Sequence, residues 1–113
     1  MKQTGVLRKR VAQELHLLAH QTEQLEYEKK VPTAFVPGEL ISGFCDDLYS
    51  PIGLALSNEF SDDELRDLAH LYGLIVEAAK IRVAFVTELL KTNEWRAVVR
   101  LAKEISDQYQ QKA

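Results

Sequence analysis

The period of the apolar residues constrains this chain more than any other feature. Every strong repeat in the sequence is close to the helical period of about 3.6 residues, and none is close to the strand period of about two. The clearest case follows Phe60. Ser61-Asp62-Asp63-Glu64 has the form of a capping box, in which the serine hydroxyl accepts the Glu64 amide proton and the Glu64 carboxylate reaches back to the serine amide. The acidic side chains also suit the positive end of a helix dipole. Phe60 stands one residue before the cap and Leu65 four after it, the spacing of a hydrophobic staple. A helix is predicted to start at Asp62.

Two apolar stripes follow. One runs Leu65, Leu68, Tyr72, Ile75, Ala79, Val83, Val86 and Leu90; the other runs Leu71, Leu74, Ala78, Ile81, Phe85 and Leu89. A helix apolar on two faces is packed on two sides, so this one is expected at the centre of the fold. Unbroken from Asp62 to Leu90 it would span ~44 Å. A compact domain of this size is about 35 Å across. A bend or break is therefore expected between Ala79 and Val83.

The N-terminal region predicts a long helix from about Thr4, its cap, to Lys29. Leu7, Val11, Leu15, Leu18, Thr22 and Leu25 form its inward face, with Gln13, Glu14, Gln21 and Glu23 off it. Val31-Pro32 ends it, because proline cannot continue the hydrogen-bond ladder, and residues 30–38 read as an irregular connection. Val36-Pro37-Gly38-Glu39 opens a shorter second helix with Leu40, Ile41, Phe44, Leu48 and Tyr49 turned inward. Ser50-Pro51 breaks it and starts a brief turn to Leu56. Thr92 or Asn93 caps the last helix, whose face is Trp95, Val98, Ala102, Ile105 and Tyr109. Its tail, Gln110 to Ala113, is expected to fray. The sum is an all-α single domain over residues 1–113, a bundle of four main helices with the Pro51 turn as a fifth element.

With 113 residues and 46% hydrophobic content, the chain is long enough to bury a real core. Cys45 is the only cysteine, which rules out an internal disulfide and fits a reducing compartment. The first residues lack the apolar core of a signal peptide, and no apolar run approaches the ~20 residues that span a bilayer. A soluble cytoplasmic protein with no membrane partner is expected.

The formal charge of -3 arises in the middle of the chain. Between Val31 and His70 stand eight acidic residues and one basic residue, Arg66. Capping accounts for Asp62, Asp63 and Glu64, while Asp46, Asp47, Glu59 and Asp67 have no basic neighbours in sequence to answer them. Such a local excess steers cationic partners. Asp46, Asp47, Glu59, Asp62, Asp63 and Asp67 are therefore the expected contact residues for a basic protein.

Other constellations point less far. His16, His20 and Glu23 share one side of the first helix at metal-like spacing, yet Leu17 follows His16, so there is no HExxH motif. Ordinary boundary histidines are the commoner meaning of so loose a pattern. Asp67 and His70 make one D-x-x-H pair without the inward glutamates of a di-iron bundle. Cys45 precedes two aspartates that would raise a thiol pKa, which suits a small buried residue better than a nucleophile. The run Arg8-Lys9-Arg10 and the stripe Arg96, Arg100 and Lys103 lack interleaved exposed aromatics. They read as solvated helix surface paired with Glu14 and Glu104. There is no phosphate-binding glycine loop, nucleophile elbow or zinc-spaced cysteine set.

No catalytic residue and no cofactor is expected. The expected function is that of a non-catalytic protein–protein interaction domain, such as an acidic immunity or inhibitor protein that neutralises a basic enzyme like a nuclease toxin. The alternatives are a small-ligand or metal-binding helical protein using His16, His20 and Glu23, and a nucleic-acid-associated regulator using the basic residues. On the local reading alone, Ser61→Ala is expected to destabilise the protein by ~1 kcal/mol, the usual worth of an N-cap side chain. Coincident thermal melts of wild type and variant would place the helix start elsewhere.

Overall fold

The computed structural model describes residues 6–30, 36–45, 59–81, 83 and 85–112. Among the described residues there are six helices and no strand: α1 (Val6–Ala19), α2 (Gln21–Lys30), α3 (Val36–Cys45), α4 (Asp62–Ala79), α5 (Val86–Leu89) and α6 (Asn93–Lys112). They form one all-helical globule of 41 × 26 × 25 Å. The expected cap at Thr4 and the Pro51 turn lie outside the described residues, as do Asp46 and Asp47.

α6 is the axis of the molecule. Trp95, Val98, Ala102, Ile105 and Tyr109, the face read from its spacing, are all buried. Both α1 and α4 pack extensively against it. Thr92 is its N-cap: the hydroxyl oxygen accepts the Trp95 amide proton at 3.1 Å and donates its own proton to the Leu89 carbonyl at 2.7 Å. One side chain thus joins α5 to α6. The helix runs to Lys112. Burial of Tyr109 in its last turns gives that end an anchor.

α4 starts as its sequence requires. The Glu64 amide donates to Ser61 Oγ at 3.2 Å, and the Ser61 amide donates to Glu64 Oε1 at 2.9 Å. Its buried residues differ from expectation. Leu68, Leu71, Ile75 and Ala78 form a single strip drawn from both stripes, flanked by half-buried Leu65, Tyr72 and Leu74, while Val76 is exposed. α4 packs on two helices, α6 and α3.

The break expected after α4 is present. The helix stops at Ala79, and α5 resumes at Val86. A carboxylate answers each amide at the restart: Val86 N–H donates to Glu28 Oε2 at 2.9 Å, and Phe85 N–H donates to Glu88 Oε1 at 3.2 Å. The gap returns Val86 and Leu89 to the core, against α2 and α3, and leaves Phe85 largely exposed.

The first helix is not continuous. It breaks at His20, between α1 and α2. A continuous helix would bond the Leu17 and Leu18 carbonyls to the amides of Gln21 and Thr22. Here Gln24 Nε2 donates to both carbonyls, at 3.0 Å each. The break shifts the phase of the inward face: Thr22 is exposed, and Gln24 is fully buried in its place. The connection to α3 is also shorter than residues 30–38. Lys30 belongs to α2, and Val36-Pro37-Gly38 forms the first turn of α3, where proline's missing N–H would have had no helical partner anyway.

Trp95 has no measurable exposure, and its indole N–H donates to Gln24 Oε1 at 3.0 Å. Trp95→Ala is expected to cost ~3–5 kcal/mol through the cavity it leaves, and it also strands a buried amide oxygen. Denaturant melts measure the loss; a change under 1 kcal/mol would contradict this packing, as would native fluorescence like that of free tryptophan.

Candidate functional site

Two groups of polar side chains converge in the structure. The first sits where the start of α1 meets the start of α4. Arg8 lies in the first turn of α1, whose amides have no helical acceptor. Glu59 supplies one: its Oε1 accepts the Arg8 backbone amide at 2.9 Å. The Arg8 guanidinium donates to the Glu59 carbonyl at 2.8 Å and to both carboxylate oxygens of Glu64, at 2.9 and 2.5 Å. It also stacks 4.4 Å from the centre of the Tyr109 ring and 5.7 Å from that of Phe60, a geometry that favours arginine over lysine.

This group explains part of the acidic segment. Glu64 serves as capping residue and as counter-ion at once, with its side chain only 5% exposed. Its hydrogen bonds hold the Arg8 guanidinium above its ordinary pKa, against the opposing effect of burial. Burial and then the Glu64 charge push the Tyr109 phenol far above its usual range, against the lowering effect of Arg8. The Tyr109 hydroxyl is buried without a hydrogen-bond partner among the described residues. Arg8 is the basic partner that Glu59 lacked in sequence, and it reaches Glu64 rather than Glu14. Nothing local announces a pairing between residues 56 positions apart.

The remaining acidic candidates divide. Asp62 and Asp63 are exposed in the first turn of α4, and Asp67 is half-buried one turn on. Asp63 faces Arg66 at 3.5 Å with both side chains more than three-quarters exposed, a pair of little energetic worth. Asp46 and Asp47 lie outside the described residues. On the basic side, Lys9 and Arg10 are exposed on α1 and Arg96, Arg100 and Lys103 on α6. The Arg96 Nε–H donates to the Leu90 carbonyl at 3.3 Å.

The second group is His16, His20 and Glu23. His16 ends the exposed side of α1, His20 occupies the break and Glu23 lies in the first turn of α2. One ligand atom from each lies within 4.8 Å of the others. His16 Nε2 is 2.5 Å from Glu23 Oε2, His20 Nδ1 is 3.7 Å from the same oxygen, and the two rings are 4.1 Å apart at 31°. Each side chain is between 42% and 49% exposed, so the group faces solvent. Beside it opens a shallow cleft lined by Leu17, Glu23, Glu26, Tyr27 and Lys30. The third histidine, His70, is exposed on α4 and outside this group. Among the described residues no helix is long and apolar enough to cross a membrane.

Arg8→Met should keep much of the stem's packing and remove the charge that answers Glu64. A loss of about 2–4 kcal/mol is expected, somewhat under the full cost of a buried unpaired charge because the Arg8 side chain is 28% exposed. Chemical denaturation reads this directly, and an unchanged midpoint would show that the pair is not formed in solution. No protein-family model, curated protein or solved structure matches this chain.

Proposed function

We propose that this chain is a non-catalytic protein–protein interaction domain that docks a basic protein through the exposed start of α4. The observation that supports this reading is the division of its acidic residues. Arg8 engages Glu59 and Glu64, while Asp62 and Asp63 stay exposed on a helix end that the capping box holds rigid. Fixed surface charge of one sign raises the encounter rate with a cationic partner more than it raises affinity. An immunity-type inhibitor that covers the cleft of a basic enzyme, a nuclease toxin among them, has these properties. The frame would be a four-helix bundle in which α1 with α2, α3, α4 and α6 are the main members, working in the cytoplasm.

The nucleic-acid reading loses ground here. Arg8, the first residue of its basic run, is bound to Glu64 and stacked on Tyr109, and that removes one of the few cations the reading relied on.

The test uses the partner captured from the native host. Its association with Asp62→Asn/Asp63→Asn protein should be several-fold slower than with wild type at low ionic strength, and the difference should shrink as salt rises. Asparagine is chosen because it matches aspartate in shape, removes its charge and leaves the Ser61–Glu64 capping box in place. Equal rates at low salt would remove the acidic docking surface from consideration.

A further inference from the structure

We propose that His16, His20 and Glu23 form a binding site for a divalent transition-metal ion of the zinc class, built across the joint between α1 and α2. The site is independent of the acidic docking surface.

The spacing of four and then three residues places all three side chains within ~60° on the helical wheel. The break at His20 leaves that convergence intact, with one ligand atom from each residue inside a 4.8 Å span. In a tetrahedral zinc site, bonds of about 2.0–2.1 Å put neighbouring ligand atoms about 3.3 Å apart. Side chains nearly half-exposed can close that difference by small rotamer shifts, and their exposure gives an ion a path in.

The donor chemistry points to a borderline metal. Two imidazole nitrogens and one carboxylate suit zinc, cobalt, nickel and copper, whereas magnesium and calcium want oxygen ligands. His20 already has the outer contact that metal-binding histidines use. One ring nitrogen lies 2.7 Å from the His16 carbonyl. A carbonyl only accepts, so that nitrogen, Nδ1, carries the proton, and it is Nε2 of the neutral ring, not the Nδ1 that stands 3.7 Å from Glu23 Oε2, that offers its lone pair to the ion. The 2.5 Å contact between His16 Nε2 and Glu23 Oε2 is the bond the ion replaces: the Nε2 proton passes to water, the neutral ring keeps its one proton on Nδ1, and Nε2 and Oε2 turn their lone pairs to the metal. Three protein ligands leave a fourth position for water. Because binding releases protons, it weakens on acidification.

The position of the site gives it a consequence. The ion would tie α1 to α2 on the exposed side of the break. Gln24, next in sequence to Glu23, closes the same break from the buried side through Leu17, Leu18 and the Trp95 indole. Metal binding therefore stabilises the joint on which the Trp95 packing rests.

Calorimetric titration of the full chain with zinc chloride tests the proposal. Wild type should take up one equivalent and melt at a higher temperature with zinc than without. His20→Ala and Glu23→Gln should each weaken binding by about tenfold or more and abolish the melting shift. His70→Ala and magnesium chloride serve as controls, the first binding zinc as wild type does and the second showing no uptake. No saturable one-to-one binding would overturn the proposal, as would zinc affinity unchanged in both ligand variants or lost in His70→Ala. A readout independent of any variant is the visible spectrum of the cobalt-loaded wild type. Intense bands of a four- or five-coordinate ion support the site, and the faint bands of hexaaqua cobalt overturn it.

Discussion

The structure depends on one buried amide. Trp95 sits in the middle of the core with no exposure, and an indole N–H there must find an acceptor or cost ~1–3 kcal/mol. Gln24 supplies it and is itself buried, so its amide protons need acceptors in turn. They find them in the Leu17 and Leu18 carbonyls, which are available because the helix breaks at His20. The three features form a closed set in which each satisfies the next. Beyond the break, α2 lies where Glu28 can receive the Val86 amide at the start of α5. The broken first helix and the interrupted fourth are thus tied to each other through polar groups.

A second constraint is electrostatic. Glu64 is bound twice over, by the Ser61 amide and by Arg8. A carboxylate buried this deeply is tolerable only when its lone pairs are filled. Arg8 fills them and lies across the Tyr109 and Phe60 rings, which joins the start of α1, the start of α4 and the end of α6 in one contact. The same pairing sorts the acidic residues into those that hold the fold together and those left to solvent.

Both breaks carry polar chemistry at their edges. At the break after α4, carboxylates cap the restarting amides. At the break after α1, one side chain serves from the buried side, and two histidines and a glutamate gather on the exposed side. A straight helix would have offered the same wedge of ligands but not the carbonyls that hold Gln24.

The sequence by itself determined the helical class, the capping box at Ser61, a cap at Thr92 or Asn93, the buried face of α6 and a bend or break between Ala79 and Val83. These are local properties: they follow from periodicity, cap chemistry and the length a small globule can hold. The convergence of His16, His20 and Glu23 was also legible, since helical spacing alone enforces it. What only the tertiary structure decided lies between distant segments. The break at His20 had no proline or glycine to mark it, and the Gln24–Trp95 bond that goes with it joins residues 71 positions apart. The pairing of Glu59 and Glu64 with Arg8 could not be read from a window of sequence, because a charge looks unanswered until folding brings its counter-ion to it.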